Sequence, residues 1–223
     1  MALPMSISML VNALYNIIDS YFVARISEDT MTALSLVYPI QNAVNSVAVG
    51  FGIGINAAIA YYLGAKNRQL ANRAASVGIF LNVIHGILLT IVSMVIMPMF
   101  LRLFTKDEQI ITSALDYSYI VFAFCIPIMA SVSLEKIFQA VGQMKTSMVC
   151  MLIGCVVNII LDPVSIFGIG FLPRLGIRGA AIATGIGQVA SLVAYIVIYF
   201  VRPIPVKITR KDIKFEKKLC KKL

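Results

Sequence analysis

Two acidic side chains, Asp19 and Asp162, stand in stretches of sequence that are otherwise apolar. An ionisable group at membrane depth costs several kcal/mol unless it is paired or wetted, so each marks a candidate site. Asn12 and Asn16 precede Asp19 by seven and three residues, a spacing that stacks all three on one face of a helix. Asn158 precedes Asp162 by four, again on one face, and Pro163 follows. A proline there removes the amide that would bond the carbonyl of residue 159, leaving an acceptor for water, a cation or a neighbouring helix. Two carboxylates flanked by amides, on two helices of one bundle, suit a site that takes up and releases a proton or holds a cation. The competing reading is that Asp19 sits near the outer end of its helix and that the amides only bridge helices, as polar side chains in membranes do.

The remaining polar groups read as structure. Glu135 and Lys136, near the inner end of an apolar stretch, read as a neutralised or snorkelling pair. His85, the single histidine, reads as a hydrogen-bonded helix contact. Asp116 reads as a group that reaches water or favours a helix N-terminus. The glycines Gly50, Gly52 and Gly54 fall inside a hydrophobic stretch rather than between a strand and a helix, so they indicate close helix packing and not nucleotide binding, as do Gly185 and Gly187. No HExxH, GxSxG or P-loop pattern occurs, and an enzyme is not expected.

The elements that must carry these groups follow from composition. The 223 residues are 60% hydrophobic and 13% charged, against roughly 45–50% and about 25% in a soluble domain. A helix needs about 20 mainly apolar residues to cross roughly 30 Å of hydrocarbon, and six stretches meet that length: 3–24, 33–63, 74–104, 109–141, 146–167 and 179–201. Ten-residue alternation of the β-barrel kind does not recur, so the fold class is all-α, a polytopic membrane protein with one six-helix lobe over residues 1–202 and a basic tail or linker over 203–223. Thr105 is the expected cap of the fourth helix.

The formal charge of +9 is a topology signal rather than a nucleic-acid footprint. Lys66, Arg68, Arg73, Lys145 and nine tail bases collect in the even loops and the tail, whereas Arg25, Lys106, Arg174 and Arg178 in the odd loops are partly balanced by acids. The positive-inside rule then puts the even loops and both termini in the cytoplasm, and six spans satisfy that parity. The N-terminus lacks a basic n-region and a small-residue cleavage site, so the first helix is expected to serve as its own insertion signal. Cys125, Cys150, Cys155 and Cys220 show no CxxC spacing and are expected to be reduced packing residues.

Taken in order, these residues resemble the multidrug and toxic compound extrusion (MATE) transporters over essentially the whole chain. The resemblance is carried by Pro4 with Tyr15-Asn16 and Asp19-Ser20, by Tyr61-Tyr62-Leu63-Gly64-Ala65-Lys66-Asn67, by Phe138 to Lys145, by Val157-Asn158-Ile159-Ile160-Leu161-Asp162-Pro163, and by Gly176 to Thr184. That order is the family's first lobe, of the prokaryotic type. The resemblance implies a transporter of two six-helix lobes that exports amphipathic, often cationic compounds in exchange for protons or sodium by alternating access. It implies that Asp19, Asn158, Asp162 and Thr184 form the cation site, with Asn12, Asn16 and Tyr15 as candidates for the substrate path and Pro4 as the residue at which the first helix bends. No cofactor is implied beyond the coupling proton or Na+, and no metal beyond Na+ at that site.

The chain departs from the family in lacking the second lobe. It is expected to need that missing six-helix lobe, or a second copy of itself, together with the lipid bilayer of the cell inner (plasma) membrane and a small-molecule substrate, with no nucleic acid. Two other functions compete: a lipid-linked precursor flippase of the same superfamily, which needs a basic cavity for phosphates, and a non-transporting membrane assembly module.

Overall fold

The computed structural model describes residues 2–168, 173–209 and 211, with the side chains of 2–9, Asn12 and Tyr15 outside that description. Seven helices follow one another: α1 Ala2–Ala24, α2 Glu28–Gly64, α3 Arg68–Phe104, α4 Glu108–Ala123, α5 Cys125–Ala140, α6 Met144–Phe167 and α7 Ile177–Val201. No strand occurs among the described residues. α2, α3, α6 and α7 are long and apolar enough to cross a membrane, with mean hydropathies of 1.6, 2.4, 2.2 and 1.9 over their best windows, and α4 with α5 forms a fifth such stretch bent by 48°.

That bend corrects the single helix expected over 109–141. Pro127 offers no amide to the carbonyl of Ala123 and its ring crowds that carbonyl, so α4 stops there and α5 restarts after Phe124. The Phe124 N–H turns back to the Val121 carbonyl at 3.1 Å, a 3₁₀-type closure. On α3, the Thr90 hydroxyl donates to the Phe122 carbonyl at 3.1 Å, serving an acceptor that the break takes out of the helical ladder. The prolines Pro39, Pro98 and Pro163 leave α2, α3 and α6 continuous.

α2 and α3 begin five or six residues ahead of their apolar stretches because polar caps start them. Ser27 accepts from the Thr30 N–H at 3.1 Å, with Glu28 and Asp29 in the first turn, and Asn67 accepts from the Leu70 N–H at 3.0 Å. The cap of α4 is Asp107, whose Oδ1 accepts from Gln109 at 2.8 Å and Ile110 at 3.4 Å. Thr105, expected in that role, instead accepts from the Asp107 N–H one step outside. A carboxylate outcompetes the hydroxyl because the helix N-terminus carries partial positive charge.

The bundle holds two apolar clusters. One joins the first half of α2 to the end of α3, α4 and the start of α7, centred on Val37, Met97, Tyr117 and Phe122. The other joins the end of α2 to the start of α3, α5 and the end of α7, centred on Ile59, Val77, Phe138 and Tyr195. Residues after α7 complete the second cluster: Ile204 and Val206 are buried, and the Lys207 and Thr209 amides donate to Asn72 Oδ1 at 2.8 Å and Ser76 Oγ at 3.1 Å. Outward faces stay apolar, with Val95, Met99, Leu103, Phe200 and Val201 each more than two-thirds exposed, as lipid contact requires and water does not favour.

Candidate functional site

The site is built where α1, α4, α6 and α7 meet. α6 and α7 approach closely because both carry glycine at the crossing: a Cβ on Gly187 would lie 2.8 Å from the Gly154 carbonyl oxygen and 3.0 Å from the Asn158 Cβ. Small residues are what allow membrane helices to meet backbone to backbone. One turn beyond Gly154, Asn158 is fully buried, and its Nδ2 donates to Asp162 Oδ1 at 3.1 Å, so the i, i+4 pair on α6 is a formed hydrogen bond.

α1 packs along α6 and brings Asp19 to this pair, near enough for the two carboxylates to act on each other electrostatically. Tyr117 of α4, with its ring buried, hydrogen-bonds to the Asp19 carboxyl. Thr184 of α7 is buried beside them and lines the same small recess as Asp19 and Tyr117, about 80 Å³ in volume. Asp19, Asn158, Asp162 and Thr184, from three helices, are thus gathered in one place.

Three oxygens of this group make no hydrogen bond among the described residues: Asp19 Oδ1, Asn158 Oδ1 and Asp162 Oδ2. All three are acceptors. A buried acceptor without a donor is expensive, and an ionised carboxylate more so, so chemically the cluster suits a species that brings positive charge or a hydrogen-bond donor. No group of three or more His, Cys, Asp or Glu with metal-binding geometry occurs among the described residues.

The recess adjoins a larger cleft of about 170 Å³, the two sharing Asn16, Tyr38, Gln41 and Thr184 in their walls. α2 supplies much of the cleft's polar lining with Gln41, Asn42 and Asn45, while α5 supplies Ser131 and Glu135. Asn16 therefore lies between carboxylate and cleft. The side chains of Asn12 and Tyr15 lie outside the described residues, as does that of Pro4, two residues into α1.

Sequence reasoning missed Tyr117 and the amides of α2. A tyrosine in an apolar stretch carries no spacing signal, whereas Gln41, Asn42 and Asn45 do form an i, i+1, i+4 cluster that a search for intramembrane amides would have found. Asp116, read as reaching water, is ion-paired with Arg178 at 2.8 Å across α4 and α7. His85 makes the helix contact expected of it, Nδ1 lying 2.8 Å from the Leu81 carbonyl. Glu135 and Lys136 form the expected pair, at 2.9 Å. Cys125, Cys150 and Cys155 are free and buried, and Cys220 lies outside the described residues.

Known proteins resemble this chain in sequence and in fold. The chain is 28% identical over 202 residues to the multidrug export protein MepA of Staphylococcus aureus (strain NCTC 8325 / PS 47), covering 90% of this chain and 44% of MepA. It is 27% identical over 187 residues to an FAD transporter of Shewanella oneidensis, covering 82% and 41%. In three dimensions it superposes on the crystal structure of a MATE protein in complex with MaL6 with a TM-score of 0.90 at 28% identity, covering 98% of this chain and 48% of that one. The chain thus spans about half the length of the relatives it matches, and its seven helices have the MATE fold. Since the MatE family profile matches residues 4–164, which hold α1 to most of α6 and both site carboxylates, the chain belongs to the MatE family.

Proposed function

We propose that this chain is one lobe of a cation-coupled antiporter that exports amphipathic, cationic compounds, with a proton or Na+ as the coupling ion and a second lobe or a second copy completing the transport pathway. It is a transporter part and not an enzyme, set in the plasma membrane with both termini on the cytoplasmic side. The observation that carries this reading is the convergence of Asp19 with Asp162 and Asn158, each of which keeps one buried oxygen with no donor among the described residues: Asp19 Oδ1, Asp162 Oδ2 and Asn158 Oδ1.

A cation entering from one side satisfies those oxygens, and its departure towards the other side leaves the two carboxylates uncompensated again. The exchange of one occupant for another through a shared space gives antiport, because the recess holding Asp19 shares its wall with the cleft. MepA is a multidrug export protein, and export of drugs is carried to this chain as part of the proposal. No Lys or Arg lines the cleft or the recess among the described residues, which speaks against the phosphate-holding cavity of a flippase.

The test is efflux of ethidium from proteoliposomes holding this chain, alone or reconstituted with a complementary second lobe, under an imposed proton or sodium gradient. Gradient-driven efflux abolished by Asp19→Asn and by Asp162→Asn supports the reading. Gradient-driven efflux that both variants retain overturns it.

A further inference from the structure

Glu135 is the one charged side chain lining the cleft among the described residues, and it belongs to a different part of the bundle from the Asp19 and Asp162 cluster. Its surroundings hold it in place. Lys136 Nζ and Gln139 Nε2 donate to the same oxygen, Oε1, at 2.9 and 2.7 Å. Gln139 also donates to Ser147 Oγ at 3.3 Å, and the Tyr195 hydroxyl donates to the Ser147 carbonyl at 3.0 Å, so the carboxylate is tied through α5 to α6 and α7. Both donors fall on Oε1, which leaves Oε2 as an acceptor that these bonds do not use.

Lys136 does not line the cleft; its stem runs over Gly52 of α2, where a Cβ would lie 2.7 Å from the Lys136 Cγ. The pair is therefore asymmetric: the acid lines the cleft while the base is drawn aside. Glu135 is only 16% exposed and its Oε1 is paired with Lys136, but the ammonium is not part of the cleft wall, so the pair presents its negative end to the cleft and favours positive charge there over an anion. The same lining includes Val132, Met151, Gln188 and Ser131.

We infer that the Glu135 carboxylate is a cation-binding subsite, the anchor for the positive centre of an organic cation lying in the cleft. This deepens the reading proposed above and rests on it for the identification of the bound cation as a transported one. It assigns separate tasks to the two acidic regions: Glu135 binds the organic cation, while Asp19 and Asp162 bind the coupling ion. Among relatives that include a multidrug export protein and an FAD transporter, it places this cleft with cationic cargo, since a flavin nucleotide's phosphates would meet an acid there.

The experiment is equilibrium binding of ethidium, a fixed monocation, to the detergent-solubilised full chain by fluorescence polarisation, with uncharged Nile red as the second probe. Glu135→Gln is expected to weaken ethidium about tenfold, the effect of losing one well-placed charge partner, and to leave Nile red within about twofold. Lys136→Met removes the competing cation and is expected to tighten ethidium, a rise that a merely structural pair would not produce. Because Glu135→Gln leaves Lys136 unpaired, the double variant Glu135→Gln/Lys136→Met removes both charges together and is expected to bind ethidium as weakly as Glu135→Gln. Ethidium affinity unchanged by Glu135→Gln, loss of both dyes in parallel, or weakening by Lys136→Met each overturns the subsite. Binding is read without a gradient, so these results stand apart from coupling. A chain that binds ethidium through Glu135 but shows no gradient dependence overturns the coupling and not the subsite.

Discussion

Gly154 on α6 and Gly187 on α7 meet through their backbones: a Cβ on the first would lie 2.6 Å from the Gly187 carbonyl oxygen, and one on the second 2.8 Å from that of Gly154. This contact sets the distance between the helix that carries Asn158 and Asp162 and the helix that carries Thr184. It therefore fixes how closely Thr184 approaches the Asn158 and Asp162 pair.

Gly187→Ala therefore acts on stability and on the site together. The added methyl meets carbonyl backbone on one side and Asn158 on the other, neither of which can yield cheaply, so destabilisation of about 1–3 kcal/mol is expected from overpacking. Gly50→Ala is the matched control, since nothing lies within 4 Å of a Cβ there, and it is expected to be neutral or slightly stabilising as alanine replaces glycine in a helix. Thermal unfolding of both variants in one detergent checks the pair. Equal melting temperatures would show that the Gly154–Gly187 contact does not set how closely α6 and α7 pack.

Tyr117→Phe isolates the hydroxyl that holds the Asp19 carboxyl. The ring is buried in the first apolar cluster and phenylalanine fills the same volume, so the fold is expected to lose no more than about 1 kcal/mol. Gradient-driven ethidium efflux is expected to fall several-fold, because Asp19 loses the partner that fixes its rotamer. Efflux at the unaltered rate, with the melting temperature also unchanged, would show that Asp19 is positioned by other means.

Much of this site was legible because a helix has a fixed period. Asn158 and Asp162 at i, i+4 had to share a face, and the structure joins them at 3.1 Å. What the sequence withheld was which helices meet. Tyr117 and Asp19 are nearly a hundred residues apart, and only the packing of α4 against α7 and of α1 against α6 and α7 relates them. The broken fourth stretch is a second case. Pro127 could have announced it, yet Pro39, Pro98 and Pro163 interrupt nothing, so a proline shows where a helix can break and tertiary contacts decide whether it does. Here those contacts are the Phe124 ring, which lies against Gly185, and the Thr90 hydroxyl on the Phe122 carbonyl.

Thr90→Val tests the second of those contacts. Valine keeps the shape and removes the donor, while the Thr90 hydroxyl also bonds the Gly86 carbonyl in its own helix at 2.8 Å. Interhelical hydrogen bonds in membranes average about 0.6 kcal/mol, so a loss near that size is expected in unfolding measurements. A loss above about 2 kcal/mol would mean that the carbonyl at the break finds no other donor, and that the bend itself depends on Thr90.

The segment after α7 offers a prediction that activity does not enter. Lys207 and Thr209 donate their amides to side chains of α3, Asn72 at 2.8 Å and Ser76 at 3.1 Å, and Ile208 donates to the Tyr199 hydroxyl at 2.8 Å. An extended strap held by side-chain acceptors is only as protected from exchange as those acceptors make it. In Asn72→Ala/Ser76→Ala the Lys207 and Thr209 amides are expected to exchange with deuterium at least about tenfold faster, while Ile208, held from α7, slows the change at its own position. The buried Ile204 and Val206 keep the strap seated, so helix amides in α3 and α7 should exchange as before. Acceleration that spreads into α3 would show instead that the strap stabilises the helix beneath it, and no acceleration anywhere would show that apolar packing alone fixes its course.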